Sequence, residues 1–442
     1  MAIFSLISLG CEKNLVNSEQ MLYLLTEAGH QTGEPEQADV VIVNTCGFID
    51  SAKSEAIDTI LELAALREES AEFKIIVTGC LAQRHPDEIF EQLPEVDGLL
   101  GTGSYDDIVI AVTKVLNGEK PRIMGDINAP ITETKRCVTS PRWYSYLRVA
   151  EGCDNHCAYC VIPSLRGRYR SRKMEDILDE AKALAESGTK ELILIAQDVT
   201  RYGKDFKDGT DLAALVTELC KIEGIEWIRL HYLYPDEITD RLLEVMAKEE
   251  KVLGYFDLPI QHVSDKILKS MNRRTNKAQL ETLLGKIRAL VPNAVLRTSI
   301  ICGLPGEHEE EFEELAEFLR KHKLQRAGFF AFSPQEGTKA AAMDDQIPEG
   351  IALERVRLLT QLQDEIMHEF DLDRLGSHIK VLCEGYDESL RMYFGRSYAD
   401  SPGVDEQIFF SSSEEVAPGQ FVTILAEDLV DDQIHGVAVW EE

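Results

Sequence analysis

Between Tyr144 and about Asp371 six strand-like apolar runs recur: Tyr146–Ala150, Glu191–Gln197, Trp227–Tyr232, Tyr255–Gln261, Val295–Ile301 and Ala327–Phe332. Each is separated from the next by helical periodicity. Six β/α units in series restrict the chain to a parallel sheet covered by its crossover helices, and a series of this length suggests a partial barrel. Barrel chemistry sits at the carboxyl ends of the strands. Directly after the first run comes Glu151-Gly-Cys-Asp-Asn-His-Cys-Ala-Tyr-Cys-Val-Ile-Pro163, which places Cys153, Cys157 and Cys160 at the spacing Cys-x3-Cys-x2-Cys.

Three close thiolates do not complete a four-ligand metal site. A structural zinc site takes four protein ligands, and no second cysteine pair follows at finger-like distance. Cysteine-only ligation with one position open fits a [4Fe–4S] cluster that has one free iron. The bland reading of the same residues is three buried apolar cysteines. The segment resembles the radical S-adenosylmethionine (SAM) enzymes. That resemblance implies that the open iron chelates the amino and carboxylate groups of SAM, and that an electron from the cluster cleaves SAM to a 5′-deoxyadenosyl radical. It implies a partial barrel as well.

On either side of this core the period changes. From Ile3 to about Gly118 the runs Ile3–Leu9, Val40–Val43, Lys74–Thr78 and Gly98–Leu100 alternate with helices such as Ser18–Ala28, Ser51–Arg67 and His85–Leu93, which predicts an open α/β domain over 1–118. Residues 119–141, with Pro121, Pro130 and Pro141, show no clear period and read as a linker. The core then spans 142–372. In 373–442 five short strands with turns, His378–Cys383, Leu390–Arg396, Gln407–Phe410, Phe421–Leu425 and Ile434–Trp440, predict a small OB-like β-barrel.

A second cysteine set is dispersed in sequence. Cys11, Cys46 and Cys80 each follow a predicted strand of the first domain. Parallel strands bring such ends to one crevice, where open α/β sheets bind ligands. Gly10, Gly47 and Gly79 beside them permit close backbone approach. Lone cysteines at strand ends are ordinarily core residues; three at matching positions point to a joint site. Taken whole, the chain resembles the methylthiotransferases, in which a second three-cysteine [4Fe–4S] cluster precedes the radical SAM core and a TRAM domain follows it. The resemblance implies an auxiliary cluster on Cys11, Cys46 and Cys80 and a SAM cluster on Cys153, Cys157 and Cys160. Cys137, Cys220, Cys302 and Cys383 match neither motif and are taken as structural.

The words Ser8-Leu-Gly-Cys-Glu-Lys-Asn14, Asn44-Thr-Cys-Gly-Phe-Ile-Asp-Ser-Ala-Lys53, His231-Tyr-Leu-Tyr-Pro235 and Asp257-Leu-Pro-Ile-Gln-His262 resemble the RimO-type branch. That branch implies β-methylthiolation of an aspartate in small-subunit ribosomal protein twelve, free or in the small ribosomal subunit. The alternative is a tRNA methylthiotransferase acting on a hypermodified adenosine. As the family implies, one SAM methylates a sulfur species on the auxiliary cluster and a second is cleaved, with an external low-potential electron donor. Charge gives an independent check: the net charge is −32, and residues 373–442 hold fifteen acidic against four basic side chains. An RNA reader is expected to be basic, whereas an acidic barrel suits a basic protein. Asp431 and Asp432 offer themselves as charges to reverse. The stretch Arg166-Gly-Arg-Tyr-Arg-Ser-Arg-Lys173 points the other way: it suits phosphate, an anionic substrate or the SAM carboxylate, and equally a solvated loop.

For SAM, Tyr159 is placed to pack on the adenine. Gln197, Gln261 and the turn Gly303-Leu-Pro-Gly306 lie at strand ends facing the cluster loop. His156, within that loop, is assigned no role. No apolar run reaches the eighteen residues of a membrane helix, and Met1–Leu9 lacks a basic leader, so a cytoplasmic protein with reduced thiols is expected.

Overall fold

Val40–Thr45 is buried at every position, which places it inside a sheet covered on both faces. It pairs in parallel with Ile3–Ser8 on one side and Lys74–Gly79 on the other. Gln31–Thr32, Gly98–Leu100 and Arg122–Ile123 complete a six-stranded parallel sheet. Separate apolar cores fill its two faces, one around Val41, Val43 and Val77, the other around Val40, Ile42 and Ile76. Arg122–Ile123 falls inside the stretch expected to be a linker: it pairs with Leu99 and Leu100 as an edge strand. Two residues are too few to show a period. This computed structural model describes residues 1–69 and 72–440.

The second sheet has six parallel strands, in spatial order Arg326–Ala331, Val295–Cys302, Val252–Asp257, Trp227–Leu230, Glu191–Ile195 and Tyr144–Arg148. Its two outer strands do not pair, so the barrel is partial as expected. A large apolar core including Leu194, Leu230, Phe256 and Leu296 joins its outer face to the helices. One of these helices runs Glu309–His322, with a capping box from His308 and Glu311 and basic residues in its last turn. Trp227–Leu230 ends before the predicted Tyr232, because Tyr232 turns out of the strand with φ +58°.

The carboxyl-terminal strands His378–Asp387, Met392–Arg396, Ile408–Ser411, Phe421–Val430 and Gln433–Ala438 form a closed barrel. Its segment Ser397–Glu406 enters the base of the core. Asp400 pairs with Arg326 at 2.9 Å, Asp405 accepts from the Tyr255 hydroxyl at 2.6 Å, and Ser401 meets His231 at 3.0 Å. Glu191 stands between Arg229 at 2.7 Å and Arg396 at 2.8 Å, all three buried. Several acidic residues of the barrel are therefore spent inward; Glu388, Glu414, Glu415, Glu427, Asp428, Asp431 and Asp432 remain exposed. Among the described residues no helix is long and apolar enough to cross a membrane.

Candidate functional site

Sheet register determines where the dispersed cysteines go. Ser8 is paired with Asn44, and Asn44 with Thr78, so the three strands end level and Cys11, Cys46 and Cys80 follow at one edge. A Cβ on Gly10, which has φ +86°, would stand 2.7 Å from Cys46 Cβ. A Cβ on Gly79, with φ +94°, would strike the Thr45 carbonyl. Both positions require glycine for the thiols to come together. Burial first, and then the charges of Cys80 and Cys11, push the Cys46 thiol up to about 11. Cys80 is raised by burial and by Cys11, with Arg166 opposing.

The contiguous triad is similar. Burial, with Asp198 and Cys157, pushes Cys153 up to about 11, and burial, Cys157 and Cys153 raise Cys160. Each sulfur has a polar neighbour: the Asn155 amide at 3.5 Å from Cys153, the Ile162 amide at 3.4 Å from Cys160, and both Tyr234 Oη and Arg273 Nη1 at 3.7 Å from Cys157. The N–H groups among them, from Asn155, Ile162 and Arg273, favour thiolates and tune iron–sulfur potentials.

Each triad is a three-thiolate donor set, which a [4Fe–4S] cluster can take with one iron left open. Each triad lies within Coulombic range, yet among the described residues no three Cys, His, Asp or Glu are gathered closely enough to hold a single metal ion. A tetrahedral zinc would draw its sulfurs to about 2.3 Å from one centre; a cubane spaces them more widely and leaves a corner without a protein ligand.

Arg166 joins the two sites. It is 3% exposed and donates to Asn17 Oδ1 at 2.8 Å and to Asn14 Oδ1, both on the helix Glu12–Glu27 that follows Cys11. It also lies 3.4 Å from Glu151, which Arg148 holds at 3.0 Å. Arg172, equally buried, is engaged by Glu133 and Glu180. The basic stretch is thus mostly internal cement, with Arg168 and Lys173 exposed; period and charge alone carry no signal that would tell a buried arginine from a solvated one. A cavity of about 870 Å³ lined in part by Arg136, Arg172 and Glu180 includes none of the six cysteines.

Of the residues singled out for SAM, Tyr159 packs against the apolar cluster of Ala158, Ile267, Met271, Leu304 and Ala340, and burial raises its hydroxyl, with Cys157 nearby. Gln197 donates to Glu151 at 2.9 Å while its Oε1 is buried without a partner. Gln261, with φ +69°, bridges to Ile300 through its backbone. Gly303 donates its N–H to the buried Glu307 at 3.0 Å, and a Cβ there would clash with Ala352 at 2.4 Å; Gly306 has φ +82°. Both glycines shape the turn. His156 is exposed with φ +51°. Arg273 and Tyr234, which touch Cys157, were not assigned from sequence: Tyr234 lies in a quoted word, but Arg273 follows a short helix without periodic signal.

Residues 4–101 match the uncharacterized protein family UPF0004, residues 147–319 the radical SAM superfamily, and residues 375–439 the TRAM domain. The chain is 46% identical over 440 residues to "Ribosomal protein uS12 methylthiotransferase RimO" of Lachnoclostridium phytofermentans, covering 99% of this chain and 100% of that one. Against the protein of that name from Pelotomaculum thermopropionicum it is 46% identical, with 98% of each chain covered. Among solved structures it resembles the radical SAM methyltransferase TsrM of Kitasatospora setae, with a TM-score of 0.57, 12% identity, and 74% of this chain and 72% of that one covered. The cobalamin-dependent radical SAM enzyme OxsB gives a TM-score of 0.52 at 15% identity, over 81% and 56% of the two chains.

Proposed function

The chain belongs to the RimO-type methylthiotransferases of the radical SAM superfamily, and from that premise we propose that it inserts a methylthio group at the β-carbon of an aspartate in ribosomal protein uS12. The observation that carries the reading is the pair of three-cysteine sites joined through Arg166, within a chain that matches its RimO relatives end to end. SAM and two [4Fe–4S] clusters are its cofactors, and when bound they supply reductive cleavage of SAM and the sulfur. Cys153, Cys157 and Cys160 would hold the SAM cluster, and Cys11, Cys46 and Cys80 the auxiliary one.

The rest is the work of this chain. Tyr234 and Arg273 sit against Cys157, where they exclude water from the sulfur and aim positive potential at it. The network Arg148–Glu151–Arg166 holds the cluster loop against the first domain, setting the distance over which the acceptor must reach both sites. Gln197 Oε1 and Tyr159 are the groups we assign to SAM, and the turn Gly303–Gly306 shapes that side of the site. An external low-potential donor supplies the electron. The exposed acidic residues of the terminal barrel suit a basic ribosomal protein better than tRNA.

The test is anaerobic incubation of the reconstituted enzyme with SAM, reductant and either ribosomal proteins or total tRNA, read by mass spectrometry. One methylthio group on the uS12 aspartate is expected. Methylthio-adenosine in tRNA with uS12 unmodified would overturn the assignment.

A further inference from the structure

Lys13, two residues after Cys11, has an ammonium that lies against a tyrosine ring and near a carboxylate but makes no hydrogen bond among the described residues. Its side chain is 8% exposed. Nζ lies 3.1 Å from the centroid of the Tyr232 ring, and Glu12, its ionic neighbour among the described residues, is 3.8 Å away, beyond hydrogen-bonding distance. Glu12 is itself engaged by the Tyr232 hydroxyl at 2.9 Å. An ammonium carries three donors, and with an aromatic face on one side and a carboxylate only at 3.8 Å these donors are open to an acceptor that arrives.

Its surroundings say what that acceptor is. Cys11 is exposed while Cys80 is buried, so the auxiliary site opens at Cys11, two residues before Lys13 in the chain. The segment His231–Tyr234 leaves the core strand with Tyr232 under the Lys13 ammonium and Tyr234 against Cys157. One short segment thus connects the two triads, and a buried cation faces it. An acceptor that reacts at a β-carbon between these sites brings its carboxylate only one bond from the reacting atom.

We propose that Lys13 anchors the carboxylate of the acceptor side chain and thereby restricts the acceptor to an aspartate, an inference that rests on the substrate reading above. The ammonium forms charge-assisted hydrogen bonds to the carboxylate oxygens. Tyr232 holds the cation in place from below, and the competing carboxylate, Glu12, is occupied by the tyrosine hydroxyl. A neutral acceptor would displace water from the ammonium without giving it an ionised partner.

The test compares two uS12 peptides, one with the acceptor aspartate and one with asparagine in its place, which keeps the β-carbon and its hydrogens. With the reconstituted holoenzyme, kcat/KM for methylthio transfer is expected to favour the aspartate peptide by roughly 100-fold, as for a buried charge pair. Lys13→Met should lower the aspartate peptide by about that factor and bring the ratio near one, whereas Lys13→Arg should keep a preference for aspartate. A general structural defect would depress both peptides alike, so an unchanged ratio in Lys13→Met overturns the assignment. Should Lys13→Met fail to load both clusters, the wild-type and Lys13→Arg enzymes decide: equal kcat/KM for the two peptides in the former, or a lost preference in a fully loaded Lys13→Arg enzyme, overturns it. Wild-type enzyme that modifies neither peptide nor uS12 itself overturns the substrate reading instead.

Discussion

Replacing Arg166 by Gln should loosen the contact between the two cluster sites while leaving each of them formed. The guanidinium stands 3.4 Å from Glu151, and a unit pair at that separation in an effective dielectric near 20 is worth about 5 kcal/mol gross. Much of that offsets the several kcal/mol needed to bury the arginine. Glu151 keeps Arg148 at 3.0 Å and Gln197 at 2.9 Å, so it is not left bare. Asn14 and Asn17 lose their donor; unsatisfied buried acceptors cost about 1 kcal/mol or more each. The net loss is about 3 kcal/mol, which raises the opened population at this contact by roughly 150-fold. Other contacts keep the domains together, among them Arg84 to Gln335 at 2.8 Å and Tyr232 to Glu12. Hydrogen exchange should therefore accelerate in the helix Glu12–Glu27 and in residues 162–172 but not in the core strands. Methylthiolation should fall by far more than SAM cleavage. Unchanged exchange there, or a preserved ratio of sulfur insertion to SAM cleavage, would refute the reasoning.

Anaerobic reconstitution should load about eight irons, and the triple change of Cys153, Cys157 and Cys160 to Ala should leave about four; four or fewer in the unmodified protein contradicts two clusters. Cys46→Ala should abolish methylthiolation yet retain some 5′-deoxyadenosine release, assayed by chromatography. His231 is held neutral to about pH 4 by burial, with Asp257 opposing. Its folded value lies below the ordinary 6.5, so the unfolded chain binds the extra proton between pH 6.5 and 4 and stability falls as pH drops through that window, by about 3 kcal/mol in all. Urea unfolding of His231→Gln should show a flatter dependence than wild type there, and identical slopes would count against it. Charge reversal on the terminal barrel is best made at Glu414 and Glu415, both exposed. Asp431 and Asp432 have positive φ, and Asp432 already meets His368 at 2.9 Å. Glu414→Lys with Glu415→Lys should weaken uS12 binding and its salt dependence, measured by titration at several ionic strengths.

Local pattern predicted the elements of the architecture and marked both cysteine sets as candidates. Period distinguishes a strand run from a helix face, so the six units from Tyr144 onward and the five short terminal strands are legible as elements, and Cys153, Cys157 and Cys160 are adjacent enough for spacing to speak. Cys11, Cys46 and Cys80 were legible because each follows an apolar run and parallel strands align their ends. Residues whose meaning depends on what lies opposite were not legible. Arg166 and Arg168 are alike in sequence; one is buried against Asn14, Asn17 and Glu151 and the other is exposed. Glu384 and Asp400 counted as surface charge until strand pairing within the barrel set Glu384 against Arg396 and docking on the core set Asp400 against Arg326. Lys13 became a buried cation only when Tyr232 was brought beneath it from 219 positions away. Burial and charge pairing are set by contacts between distant segments, and no period along the chain encodes them.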